Sequence, residues 1–131
     1  MALTLEDRLT IQELYSRYNH AIDSGKGEAW AATFTSAGTF TSNGRTHTGP
    51  VELTAFGSAM AKNMKARHWV NNLVIDADGD GARGSCYLML LRLTPGEQPP
   101  ATSLVTAIYN DTLVKENGAW RFSSRTVAID A

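Results

Sequence analysis

One cysteine is all the chain has: Cys86, among 131 residues. An internal disulfide is therefore excluded, and the chain suits a reducing compartment, so the expectation is cytoplasmic. Charge of one sign is missing as well. Twelve Lys and Arg against thirteen Asp and Glu leave a net charge of −1, with only a mild basic group at Lys62, Lys65 and Arg67. No electrostatic footprint for nucleic acid is present. No apolar run approaches the ~20 residues that span a bilayer; the longest, Cys86-Tyr87-Leu88-Met89-Leu90-Leu91, is strand-sized. The opening Met1-Ala2-Leu3-Thr4-Leu5-Glu6-Asp7 is acidic and lacks the basic-then-apolar order of a signal peptide. Neither a P-loop nor a dinucleotide-binding glycine pattern occurs.

What is present is the material of a globular core: 43% hydrophobic against 19% charged residues. A chain of this length reads as a single domain over residues 1–131. It buries about 65–70% of the surface it exposes when unfolded, which leaves scope for a core and a cavity.

The helical patterns come first. Residues 5 to 23 carry Ile11, Leu14, Tyr15, Tyr18 and Ile22 at spacings of three and four, one apolar stripe. Thr4 and Asp7 supply a capping-box-like start, and Gly25 and Gly27 supply the stop. A short helix is expected over 27–34, holding Trp30 and Phe34. Thr35 to Gly49 reads as a β-hairpin turning at Ser42-Asn43-Gly44. Pro50 begins a third helix, to about residue 65, with Leu53, Phe56, Met60 and Met64 on its apolar face. Four long strand-like runs follow, at 67–77, 82–94, 102–115 and 119–129, joined by Asp78-Gly79-Asp80-Gly81, by Pro95 to Pro100 and by Asn117-Gly118. Helices first and a meander last predict an α+β fold, three helices packed on one face of a long curved antiparallel sheet.

The chemistry-bearing residues fall in two stretches. Tyr15-Ser16-Arg17-Tyr18-Asn19-His20-Ala21-Ile22-Asp23 ends the first helix, and Ala66-Arg67-His68-Trp69-Val70-Asn71-Asn72 opens the first long strand. Strict alternation places His68, Val70, Asn72 and Val74 on one face and Trp69 on the other. A histidine titrates near neutral pH, as a general base must, and a carboxylate on Nδ1 fixes its tautomer. Asp23 ends a helix, where the dipole disfavours negative charge, so either a nearby cation balances it or the site has a use. The central expectation is that Asp23 and His68 meet in one apolar pocket. Tyr18 and Asp23, five apart, lie roughly 140° around a helix and do not project side by side. His20 lies off the stripe and faces solvent.

Two patterns lead elsewhere. Asp76-Ala77-Asp78-Gly79-Asp80-Gly81 imitates the start of a calcium loop, but Tyr87 stands where the closing glutamate belongs. His20, His47 and His68 have no ligand-like spacing, so no metal is expected. Cys86 reads as a buried small residue, not as a nucleophile.

The chain resembles the SnoaL-like group of the NTF2-like cone superfamily. The resemblance rests on Asp7-Arg8-Leu9 with Ile11-Gln12-Glu13-Leu14-Tyr15, on Tyr18 with Asp23, on Arg67-His68 followed by Asn71-Asn72, and on Trp120-Arg121-Phe122. It covers nearly the whole chain. Members similar to this pattern include scytalone dehydratase, a hexachlorocyclohexane dehydrochlorinase and bile-acid 7α-dehydratase. Polyketide cyclases and ketosteroid isomerase share the fold but place other residues. The resemblance implies a catalytic dyad of Asp23 and His68, with Tyr18 as a further catalytic group. The last-strand arginine of bile-acid 7α-dehydratase has no assured match; Ile129 falls near its place.

Together these readings predict a cofactor-independent lyase of the dehydratase or dehydrohalogenase kind, acting on a small apolar cyclic or polyketide-like metabolite. A cyclase, an isomerase or a non-catalytic binding protein are the alternatives. Asn72, Trp30, Phe34, Phe56, Met60, Tyr109, Trp120 and Phe122 are expected to line the substrate pocket. The outward Trp69 predicts a homo-oligomer, dimer or trimer. No nucleic-acid, membrane or cofactor partner is expected.

Overall fold

The structure, a computed structural model, describes residues 2–131. Helix α1 spans Leu5–Asp23, and its start is a reciprocal cap: the Asp7 amide donates to Thr4 Oγ1 at 3.0 Å and the Thr4 amide to Asp7 Oδ2 at 2.9 Å. Ile11, Tyr15, Tyr18 and Ile22 bury its apolar stripe. Gly25, at φ 72°, reverses the chain after it. Helix α2, Gly27–Ala31, stops three residues short of the expected 34. Thr33 turns the chain out: its hydroxyl and its amide both donate to the Trp30 carbonyl, at 2.7 and 3.0 Å. Phe34 therefore opens strand β1, Phe34–Ser42.

Strand β2, Arg45–Thr48, pairs antiparallel with β1 through Asn43 and Gly44, both at positive φ as a two-residue hairpin turn requires. Helix α3 runs Gly49–Asn63 with Pro50 in its first turn. It packs closely on α2, and a side chain at Gly57 would press on the Trp30 ring.

The long strands are β3 (Ala66–Asp78), β4 (Gly81–Leu93), β5 (Ala101–Glu116) and β6 (Ala119–Ile129). The sheet order is β2-β1-β6-β5-β4-β3. The expected antiparallel meander of β3 to β6 is present. The pairing of β1 with β6 is parallel, so the sheet is mixed, with β2 and β3 as its edges. Register shifts interrupt the β1–β6, β3–β4, β4–β5 and β5–β6 pairings. Each adds local bend and twist.

The helices lie on one face of this sheet, and the interior between the two layers is aromatic. Tyr18, Trp30, Phe34 and Phe122 meet at ring separations of 5.2–6.0 Å. At its centre is an ion pair that sequence reading did not anticipate. Arg125 Nε and Nη2 donate to Asp111 Oδ1 and Oδ2 at 2.7 and 2.8 Å, and the Tyr15 hydroxyl donates to Oδ2 at 2.5 Å. Both charged side chains are sealed from solvent. The guanidinium also lies 3.7–4.9 Å from the ring centroids of Tyr109, Phe122, Tyr18 and Tyr15.

Candidate functional site

Asp23 is the last residue of α1, and His68 lies three residues into β3. The two meet as expected. His68 Nδ1 is 2.6 Å from Asp23 Oδ1, and the His68 backbone amide donates to both carboxylate oxygens, at 3.1 and 3.3 Å. A carboxylate only accepts, so Nδ1 donates to it, and in the neutral ring the lone pair is on Nε2. The contact also resolves the electrostatic problem of a carboxylate at a helix C-terminus, since amide and imidazole supply the positive end of the interaction. The His68 side chain is 6% exposed and that of Asp23 17%. The ring is thus nearly dry, where charge–charge coupling is strongest, while the carboxylate keeps an opening to the outside.

That opening is a cleft of about 770 Å³ at the free edge of β3. α1 contributes Ser16, Asn19, His20 and Asp23, with Ser24 just after it; Lys65 and the first residues of β3, Ala66 to Val70, form the second side; Leu93 and Pro95 close the third. His20 is exposed, as expected. The pocket expected to be apolar has instead a mixed lining, with hydroxyls, an amide and cations beside Trp69, Val70 and Leu93. The apolar residues that would have made it dry are used for the core.

The other expected site residues fall elsewhere. Tyr18 is 1% exposed, boxed by Trp30, Phe34, Tyr109 and Phe122, and is absent from the cleft wall. Burial raises its pKa, partly offset by Arg125, so it stays a phenol at neutral pH. Trp30, Phe34, Tyr109, Trp120 and Phe122 are buried core, and Phe56 and Met60 pack partly buried against it. None of these seven lines the cleft, because ring contacts at 5.2–5.5 Å, such as those of Trp30 with Phe34, Phe40 and Phe56, fill the interior. Trp120 has a separate task, donating from Nε1 to Asp7 Oδ1 at 2.9 Å. Asn72 also falls outside. The β3–β4 register shifts between Asn71 and Val74, and Asn72 sits at φ 54°. The alternation that would have kept Asn72 and Val74 with His68 inverts there: both are exposed, and Leu73 and Ile75 turn inward.

Burial lifts the Cys86 thiol to about 11, so it is not a nucleophile at neutral pH. Burial, and then the charge of Asp111, raise Tyr15. Burial alone would lower Arg125, but Asp111 more than reverses this and the guanidinium stays charged. Among the described residues no group of three or more His, Cys, Asp or Glu converges as metal ligands would.

Sequence reading missed Arg125, and one signal for it was available. Ala107, Tyr109, Asp111 and Leu113 alternate on one apolar face of β5, so Asp111 requires a buried cation. Its partner was masked by the bulge in β6, where Thr112 faces both Ser123 and Ser124 and shifts Arg125 onto the face of Trp120 and Phe122.

Comparison with known proteins agrees with this architecture. No curated protein matches the chain. Among solved structures, Rv3472 of Mycobacterium tuberculosis, a protein of unknown function, is 31% identical with a TM-score of 0.88, over 95% of this chain and 72% of that one. A protein of unknown function with a cystatin-like fold from Nostoc punctiforme is 28% identical with a TM-score of 0.86, over 99% and 96% of the two chains. A putative scytalone dehydratase from Novosphingobium aromaticivorans shares the fold at 20% identity, with a TM-score of 0.83 over 97% and 86%. The SnoaL-like domain model matches residues 3–126, and the chain belongs to the SnoaL-like domain family.

Proposed function

We propose that the chain is an acid–base enzyme of the lyase type, a dehydratase or dehydrohalogenase, with His68 as its base. The observation that carries this reading is the 2.6 Å contact between His68 Nδ1 and Asp23 Oδ1 beside an open cleft. His68 Nε2 takes a proton from a carbon next to an activating carbonyl. The C–H electron pair becomes the new C=C bond, and the leaving group departs with its own pair, as halide or, taking back the proton that His68 Nε2 has just received, as water. Asp23 holds the tautomer and stabilises the imidazolium. No cofactor is needed for these steps. The substrate is a small cyclic or polyketide-like metabolite, and the protein works as a homo-oligomer, dimer or trimer.

Two variants test the role of the pair. His68→Ala and Asp23→Asn should each lose about 10²–10⁴-fold in turnover while keeping the wild-type circular dichroism spectrum. Turnover within about threefold of wild type in both variants rejects the mechanism. Product mass separates elimination from the cyclase and isomerase reading, since only elimination loses a group. The filled aromatic interior favours one further alternative, a binding protein that uses the cleft without chemistry. Its mark is bound ligand whose carbon acid never exchanges with solvent deuterium.

A further inference from the structure

One polar group beside the Asp23–His68 pair has no partner within the protein. Asn19 lines the cleft, is only 8% exposed, and its Oδ1 is buried without a hydrogen bond. A buried acceptor left unpaired destabilises a fold, which is why such groups are rare in native proteins. Asn19 lies four residues before Asp23 in α1, one turn back on the same face of the helix. Its side chain therefore stands beside the carboxylate that takes the His68 Nδ1 contact at 2.6 Å.

The neighbouring donors are engaged elsewhere. Ser16 gives its hydroxyl to the Gln12 carbonyl at 3.5 Å. The His68 amide and Nδ1 both donate to Asp23. His20, Lys65 and Arg67 are exposed to water. Oδ1 is an acceptor, so its complement is a hydrogen-bond donor, and the cleft is the side from which a donor arrives.

We propose that Asn19 selects and positions the leaving group, and that this group is a hydroxyl. The proposal rests on the reading of the cleft as the reaction site. A hydroxyl has a hydrogen to give to Asn19 Oδ1; a halide has none. With that hydrogen held by Asn19, a lone pair of the hydroxyl oxygen is left for His68. The C–O bond breaks with its electron pair going to oxygen, the oxygen takes the proton from His68 Nε2, and water leaves. Of the two lyase reactions, the buried acceptor thus fits dehydration.

The test reads binding and needs no turnover. Its probes are 2-tetralol, a neutral ring alcohol, and the methyl ether of that alcohol, which accepts a hydrogen bond but donates none. Neither carries a carbonyl, so the dyad has no carbon acid to act on. Titrated by calorimetry into the full wild-type chain, the alcohol should bind about tenfold or more tightly than the ether. Asn19→Leu should remove this preference by weakening the alcohol alone. Asn19→Leu should also raise the melting temperature of the free protein, because it replaces an unpaired buried acceptor with an apolar group of similar size. An Asn19 with a purely structural task would move the melting temperature the other way. Equal affinity for the two probes, no measurable binding of the alcohol at millimolar concentration, a preference that survives Asn19→Leu, or a variant that melts lower or does not fold overturns the inference. Because neither probe is turned over, an inactive dyad and an Asn19 that receives no donor are told apart.

Discussion

Asp111 and Arg125 are residues that a dry interior rejects singly and accepts as a pair. Their two parallel hydrogen bonds, with a third from Tyr15, satisfy the carboxylate, and the surrounding rings face the guanidinium. Arg125 Nη1 is left without a hydrogen-bond partner, which the ring faces offset in part. Removing one partner leaves the other charge buried and uncompensated. Arg125→Met and Asp111→Leu should each cost about 3–5 kcal/mol in urea unfolding, and the double variant should recover much of that loss. A single-variant loss below about 1 kcal/mol contradicts this account. Gly84 is part of the arrangement, because a Cβ there would collide with the Tyr15 hydroxyl that reaches Asp111. At this scale the sequence was half legible. Alternation along β5 places Asp111 on an apolar face, but nothing local marks the extra residue in β6 that delivers Arg125 to it.

At the scale of elements, α1 is fixed at both ends by aspartates. Asp23 ties its last turn to β3, and Asp7 ties its first turn to β6 through Trp120 and to the end of β5 through Lys115 at 3.2 Å. The Thr4 amide and then the Trp120 indole hold the Asp7 carboxyl well below the usual carboxylate range. A depressed folded-state pKa means stability that is complete above the unfolded value, near 3.9, and lost as pH falls through the folded one. Asp7→Asn should therefore lower the melting temperature at neutral pH and flatten its fall on acidification below about pH 4. Parallel melting curves for the two proteins from neutral to acid would count against this role of Asp7. Most elements were legible: the cap of α1, the Asn43-Gly44 and Asn117-Gly118 turns and the four long strands all follow local rules. The β3 bulge was not. Asn71-Asn72 looks like any pair in a strand, and the reversal of facing beyond it depends on register with β4.

For the whole molecule, three helices cover one face of a six-stranded sheet and leave the other bare. Trp69 is 55% and Tyr87 52% exposed there, beside a groove of about 480 Å³ that also holds Met89 and Ile108. Alternation against His68 was enough to foresee the outward Trp69. A second copy of the chain is the expected cover. Light scattering should give a mass above that of one chain at micromolar concentration, and Trp69→Glu should shift it toward the monomer without lowering the melting temperature. A wild-type monomer under those conditions would refute the assembly.

The Asp23 carboxylate has a consequence away from any chemistry. β3 is an outermost strand, and an outermost strand offers bare amides on which a foreign chain can build. By occupying the His68 amide with both oxygens, Asp23 plugs that template beside the cleft. The side chain to which the proposed reaction gives a part thus also guards the sheet edge, and exchanging it for a residue that neither accepts nor repels should expose the protein to stacking edge on edge.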